Sequence, residues 1–151
     1  MTRRALLAVA IVCLLGGCSA TSSTQPKSEL RGFASNTPGC HEGLDNSSEV
    51  VIPGKPTQLV VCGGRHHRMV ALKTLTPNDG PAFNALVAAL SLPDVPAGDE
   101  CGDIAGPMPI MVSTRHGSWT VAIPGDGCDR LRQEVKDALA AAHVPPQFPR
   151  F

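Results

Sequence analysis

Hydrophobic and polar positions follow one another along this chain in patterns that change period several times. Behind Arg3 and Arg4, Ala5 to Leu15 runs uncharged and mostly apolar. Glu49-Val50-Val51-Ile52 is a short apolar run stopped by Pro53-Gly54, Gln58-Leu59-Val60-Val61-Cys62 is a second, and Met69 to Leu75 is a third. Their β-branched residues predict three strands. Gly63-Gly64-Arg65-His66-His67-Arg68 joins the last two as a hairpin loop. Thr76-Pro77-Asn78-Asp79-Gly80-Pro81 then reads as a helix start, with Asp79 or Gly80 as cap and Pro81 in the first turn. Phe83, Leu86, Val87 and Leu90 follow at i, i+3, i+4 and i+7, one face of a helix that Pro93 stops. Asp94 to Pro109 is rich in Pro, Gly and Asp and predicts an irregular loop. Beyond it, Ile110, Val112 and Thr114 alternate with Met111 and Ser113, and Trp119, Val121 and Ile123 alternate with Thr120 and Ala122. Arg115-His116-Gly117-Ser118 turns the chain between them, Gly117 supplying a positive φ. Gly125-Asp126-Gly127-Cys128-Asp129 leads into a second helix, where Leu131, Val135 and Leu139 recur every four residues until Pro145-Pro146.

The expected order is βββα-ββα. Its simplest solution is an α+β domain, one antiparallel sheet with both helices on one face. Leu86, Leu90, Val112, Trp119, Val121, Ile123, Leu131, Val135 and Leu139 are its expected core. The two halves share a plan, each with a Cys, a hairpin, a further Cys and a helix, which suggests a structural duplication.

The leader changes the picture from a plain domain to an exported one. Ala5 to Leu15 is about half the roughly 20 residues that a membrane-spanning helix needs. A short apolar core behind two arginines and ahead of small residues predicts a signal peptide over residues 1–17. Leu15-Gly16-Gly17-Cys18 resembles the bacterial lipobox, which implies that Cys18 becomes the lipidated first residue of the mature chain. Thr2-Arg3-Arg4-Ala5-Leu6-Leu7 also partly resembles a twin-arginine export signal. Residues 18–38 are small and polar at their start and predict a flexible Ser/Thr/Pro tether. Residues 39–146 would form a single domain and 147–151 a tail. The expected location is the extracytoplasmic face of the cell membrane, held by lipid chains that each contribute about 0.8 kcal/mol per buried methylene.

Of six cysteines, Cys13 leaves with the leader and Cys18 takes lipid, so Cys40, Cys62, Cys101 and Cys128 remain. An even number in a small exported domain predicts two disulfides. Sequence neighbours pair in the preferred arrangement, Cys40–Cys62 and Cys101–Cys128. The rival arrangement joins Cys62 to Cys101 and Cys40 to Cys128. Gaps of more than 20 residues disfavour a thiolate zinc site, whose cysteines come as close pairs.

Leu59-Val60-Val61-Cys62 ahead of the first helix, followed by Cys101, a hairpin and Asp126-Gly127-Cys128, resembles small uncharacterised lipoproteins or secreted proteins of actinobacteria. The resemblance covers roughly residues 50 to 130. In those proteins an aromatic often follows the first Cys, where this chain has Gly63-Gly64. The resemblance implies a location and a disulfide framework, and no activity.

Composition narrows the function by exclusion. Thirteen Lys and Arg balance thirteen Asp and Glu, and loss of Arg3 and Arg4 leaves 11 basic residues against 13 acidic. Neither state carries the basic excess that nucleic acid binding needs. Four Phe, one Trp and no Tyr offer few stacking platforms. No nucleophile elbow, phosphate loop or dinucleotide fingerprint is present, and no cofactor is expected. The expected role is therefore a non-enzymatic binding or interaction module of the cell envelope. Two rivals stand beside it. One is a metal handler or small enzyme using His66 and His67, with His41 as a further ligand; the flanking Arg65 and Arg68 oppose a cation there. The other is an inhibitor of an exported enzyme. His116 reads as a turn residue at positive φ, His143 as a cation favouring a helix C-terminus, and Trp119 as core.

Overall fold

The computed structural model describes residues 28–36, 39–40, 48–65, 68–96, 108–128 and 130–144. Among the described residues there are six strands: β1 (Arg31–Ser35), β2 (Val50–Val51), β3 (Gln58–Arg65), β4 (Arg68–Leu75), β5 (Ile110–Thr114) and β6 (Gly117–Val121). Two helices follow the hairpins, α1 (Pro81–Leu90) after β4 and α2 (Gln133–Ala141) after β6. All strand pairs are antiparallel, in the order β2-β1-β6-β5-β3-β4. The α+β class and the two helices on one face of an antiparallel sheet are as expected. The order gains a strand at its start.

That strand, β1, corrects the tether expected over residues 18–38. It lies between β2 and β6, with Gly32 opposite Val121 and Ala34 opposite Trp119. On the helix side it presents Gly32, which is buried, and Ala34, which is exposed, so no bulky alternation betrays it. A Cβ on Gly32 would strike the Thr120 carbonyl oxygen and come within 3.0 Å of Ile52 Cδ1. Ile52 therefore fills the space that a side chain at position 32 would occupy, and Ile52 is 5% exposed. Leu30 packs against the same core.

The core lies between the sheet and the helices. The rows Ala34–Trp119–Val112–Leu59–Leu75 and Val61–Ile110 share one face, because directly paired residues of an antiparallel ladder point the same way. Against them pack Phe83, Leu86, Ala89 and Leu90 of α1 and Val135, Ala138 and Leu139 of α2. Leu59, Val61, Leu86, Val112 and Val135 are fully buried. Of the expected core, Ile123 and Leu131 are only partly buried at its margin. Leu131 also precedes α2 rather than riding on it, in an isolated bridge with Gly125.

The other face of the sheet carries Phe33, Thr120, Met111 and Val60 in one row and Ser35, Ser118, Ser113 and Gln58 in the next. Cys62 belongs to this face and is bonded to Cys40. The bridge obeys the expected pairing, but not for the expected reason. β2 lies at the edge of the sheet opposite β4, away from β3. Cys40 follows β1, three strand spacings or about 14 Å from β3. Five residues from Ser35 span at most about 17 Å when extended. Cys40 is therefore held across β6 and β5 from the strand it follows. Met111 at 4% and Thr120 at 7% exposure show that this face is substantially covered.

Of the two caps expected for α1 one is realised, and one local expectation, for His116, is corrected. Gly80, at φ 54, is the N-cap of α1. Asp79 instead closes the preceding 3-10 turn, its Oδ2 accepting from Thr76 N (2.6 Å) and Thr76 Oγ1 (3.0 Å). His116 is not at positive φ; among the described non-glycine residues His143 is, at φ 55. The β5–β6 turn rests on Gly117 at φ 139, as expected.

Candidate functional site

Five of the residues singled out for chemistry lie outside the described residues: Cys18, His41, His66, His67 and Cys101. Of the others, Cys40 and Cys62 are joined by their disulfide and the rest fall in different places. Cys62 is buried beneath the chain that carries Cys40. His116 is exposed on the β5–β6 turn, where its Nε2 accepts from Arg115 Nε at 2.8 Å and its backbone N–H donates to Thr114 Oγ1 at 3.0 Å. His143 closes the end of α2. Its N–H donates to Ala140 O at 2.9 Å, and the Val144 N–H donates to Leu139 O at 3.0 Å, the pair of bonds that makes a Schellman motif. Trp119 is 7% exposed and belongs to the core. Among the described residues no three of His, Cys, Asp and Glu converge on a point where a metal ion would sit.

The Asp126-Gly127-Cys128 motif has a clear structural cause. Asp126 Oδ1 accepts from the backbone N–H groups of Cys128 at 2.9 Å and Arg130 at 3.3 Å, while Gly127 bends the chain at φ 86. The Cys128 N–H holds the Asp126 carboxyl below the usual carboxylate range, with smaller help from the Arg130 N–H and from the charges of Arg130 and Lys136. Asp126 N in turn donates to Arg130 O at 2.9 Å. The carboxylate is thus spent on shaping the loop into α2.

A shallow groove opens between the start of β1 and the end of α1. Glu29, Arg31, Glu49, Asp94, Leu90 and Pro124 are among its walls, and its volume is about 190 Å³. Ligand pockets run to roughly 300–1,000 Å³, so this one is small for an organic substrate. Its polar groups are also engaged. Arg31 Nε meets Glu49 Oε1 at 2.6 Å, Asp94 Oδ1 accepts from Gly125 N at 2.8 Å, and Arg132 Nη1 donates to Pro93 O at 2.6 Å. Sequence reasoning missed this groove because three of its walls stand on or beside β1 and β2, and β1 carries no bulky alternating pattern.

The remaining feature with a chemical bias is the β3–β4 hairpin. From Gln58 to Leu75 it holds Arg65, Arg68 and Lys73 and no acidic residue. Arg65 and Arg68 occupy opposed register positions at the end of the ladder. No family model, curated protein or solved structure matches the chain. No described helix is long and apolar enough to cross a membrane.

Proposed function

We propose that the protein is a lipid-anchored binding module on the extracytoplasmic face of the cell membrane, a lipoprotein of the actinobacterial type, with no catalytic role of its own. The observation that carries this is Leu15-Gly16-Gly17-Cys18 placed directly behind Arg3, Arg4 and the apolar run to Leu15. The Cys40–Cys62 bridge supports it, since disulfides persist in oxidising compartments and are rare in the cytosol. Cys101–Cys128 is the second bridge of the proposal, supported by Cys128 being itself disulfide-bonded. With Leu30 packed on the core, the tether runs from Cys18 to about Glu29. A polar coil of that length has a root-mean-square reach of roughly 20 Å, so the domain stays close to the membrane surface.

Mass spectrometry of the membrane fraction tests the proposal. A diacylglyceryl-modified Cys18 is the expected N-terminus, and Cys18→Ser should leave the leader uncleaved. An unmodified N-terminus at Ser19 or later would overturn it. Non-reduced peptide mapping tests the second bridge, with a Cys101–Cys128 peptide expected and a Cys101–Cys18 peptide refuting it.

A further inference from the structure

We propose that the outer edge of β4 is a docking site for an extended, acidic segment of a partner protein, which adds to the sheet as an antiparallel strand. The proposal deepens the reading of the protein as an interaction module and rests on it.

The sheet contains an approximate two-fold. The β3–β4 hairpin is followed by α1 and the β5–β6 hairpin by α2. Both hairpins turn through two residues, between the Arg65–Arg68 pair and the Thr114–Gly117 pair. Superposing the turns makes Arg65 equivalent to Thr114, Val61 to Ile110 and Cys62 to Met111. In the sheet, Val61 is paired with Ile110, its own equivalent. The axis therefore passes through that pair. It relates the Val60–Met111 pairing on one side to the Cys62 N–H bond to Pro109 O, 2.9 Å, on the other.

The symmetry is broken at one place. The outer edge of β6 is filled by β1, which pairs with Ser118 to Val121. The equivalent stretch of β4 begins at Met69 and includes Val70 and Ala71, and among the described residues no strand pairs with it. Val70, equivalent to the buried Trp119, is 51% exposed. At the opposite end of the sheet the edge strand is only two residues long, Val50–Val51, whereas β4 has eight. A long unpaired edge is a template for strand addition, and main-chain hydrogen bonds then supply affinity while side chains supply specificity. Downstream of Ala71 the β4 strand bulges, since Val61 opposes Lys73 while Cys62 opposes Ala71. The bulge ends the regular edge and sets the length of strand it takes.

Charge chooses the occupant. A second copy pairing β4 with β4 would bring Arg65, Arg68 and Lys73 of both chains together with no acidic residue in either hairpin. An acidic strand instead complements a hairpin whose sequence holds Arg65, Arg68 and Lys73 and no acidic residue. β4 also lies four strand spacings, about 19 Å, from β1, whose N-terminal end leads to the tether.

The test uses the full lipidated chain in detergent micelles and two eight-residue peptides of alternating Glu and Val, one plain and one N-methylated at every second residue. The plain peptide is expected to bind and to protect backbone amides of Met69 to Ala71 from hydrogen exchange. Methylation keeps the charge and removes ladder donors, and should weaken binding by about tenfold or more, the effect of one or two hydrogen bonds. Arg65→Glu with Arg68→Glu should transfer the preference to a Lys/Val peptide. Equal binding of both Glu peptides, protection elsewhere than β4, or a concentration-dependent dimer protected along β4 would each overturn the proposal. So would the absence of binding. A modified Cys18 together with any of those results would leave the wider reading standing and remove only this edge; an unmodified N-terminus with β4 protected would do the reverse.

Discussion

His143 occupies a position that most helices give to glycine. At φ 55 it sits in the left-handed region just past α2, a conformation that a Cβ disfavours, and the Schellman hydrogen bonds and the burial of Val144 help to hold it there. A left-handed residue with a side chain costs roughly 1–2 kcal/mol, part of which glycine returns through its greater freedom when unfolded. His143→Gly should therefore raise stability by about 0.5–1 kcal/mol, read as a higher urea midpoint at unchanged slope. Asp126 gives a second expectation at this scale. Its carboxyl is held below the usual range chiefly by the Cys128 N–H. A group with a depressed folded value contributes stability that is full above its unfolded value and is lost as the pH falls through the folded one. Acid titration of unfolding should show this loss in the native protein, and Asp126→Ala should lack that component while being less stable at neutral pH.

At the scale of elements, what was legible in the sequence depended on where bulk sits. The β5–β6 hairpin could be read because Val112, Trp119 and Val121 alternate with polar neighbours around a glycine turn, and α1 because Phe83, Leu86 and Leu90 line one face. β1 was illegible because Ile52 supplies the bulk that belongs at Gly32, and that residue is twenty positions away. β2 was recognised as a strand but not placed, since pairing at the far edge depends on β1. No pattern in the candidate site's residues announced the free edge of β4; it emerges only when the sheet order is known. Trp119 ties the legible elements together. It opposes Val112 on one side and Ala34 on the other, and lies over Gly117 with its Cη2 3.4 Å from where a Cβ would stand. Trp119→Ala should destabilise by about 3–5 kcal/mol. As the single tryptophan of the chain, the native indole should emit at short wavelength and shift to the red on unfolding; emission typical of an exposed indole in the native state would contradict its placement.

For the molecule as a whole, the Cys40–Cys62 bridge decides whether the sheet has one covered face or two. The helices cover the first face with a continuous apolar core. The second face has a mixed row of Phe33, Thr120, Met111 and Val60, too polar to collapse on its own, beside a row of serines and Gln58. What brings chain across it is the bond to Cys62, whose side chain is fully buried there. A closed loop with a sequence separation of 22 is worth about 3 kcal/mol in the chain-entropy model, a large share of the roughly 5–15 kcal/mol typical of a domain. Replacing both cysteines by alanine avoids burying an unpaired hydroxyl or thiol, so the loss measured is that of the bond. Cys40→Ala with Cys62→Ala should lower stability by about 3 kcal/mol in urea unfolding. Hydrogen exchange should quicken first at β1, which Cys40 follows, and at β2 beside it, and least at β3 and β5, which the helices still cover. If exchange instead quickened uniformly, the bridge would act only on the unfolded chain and the second face would be held by its own contacts.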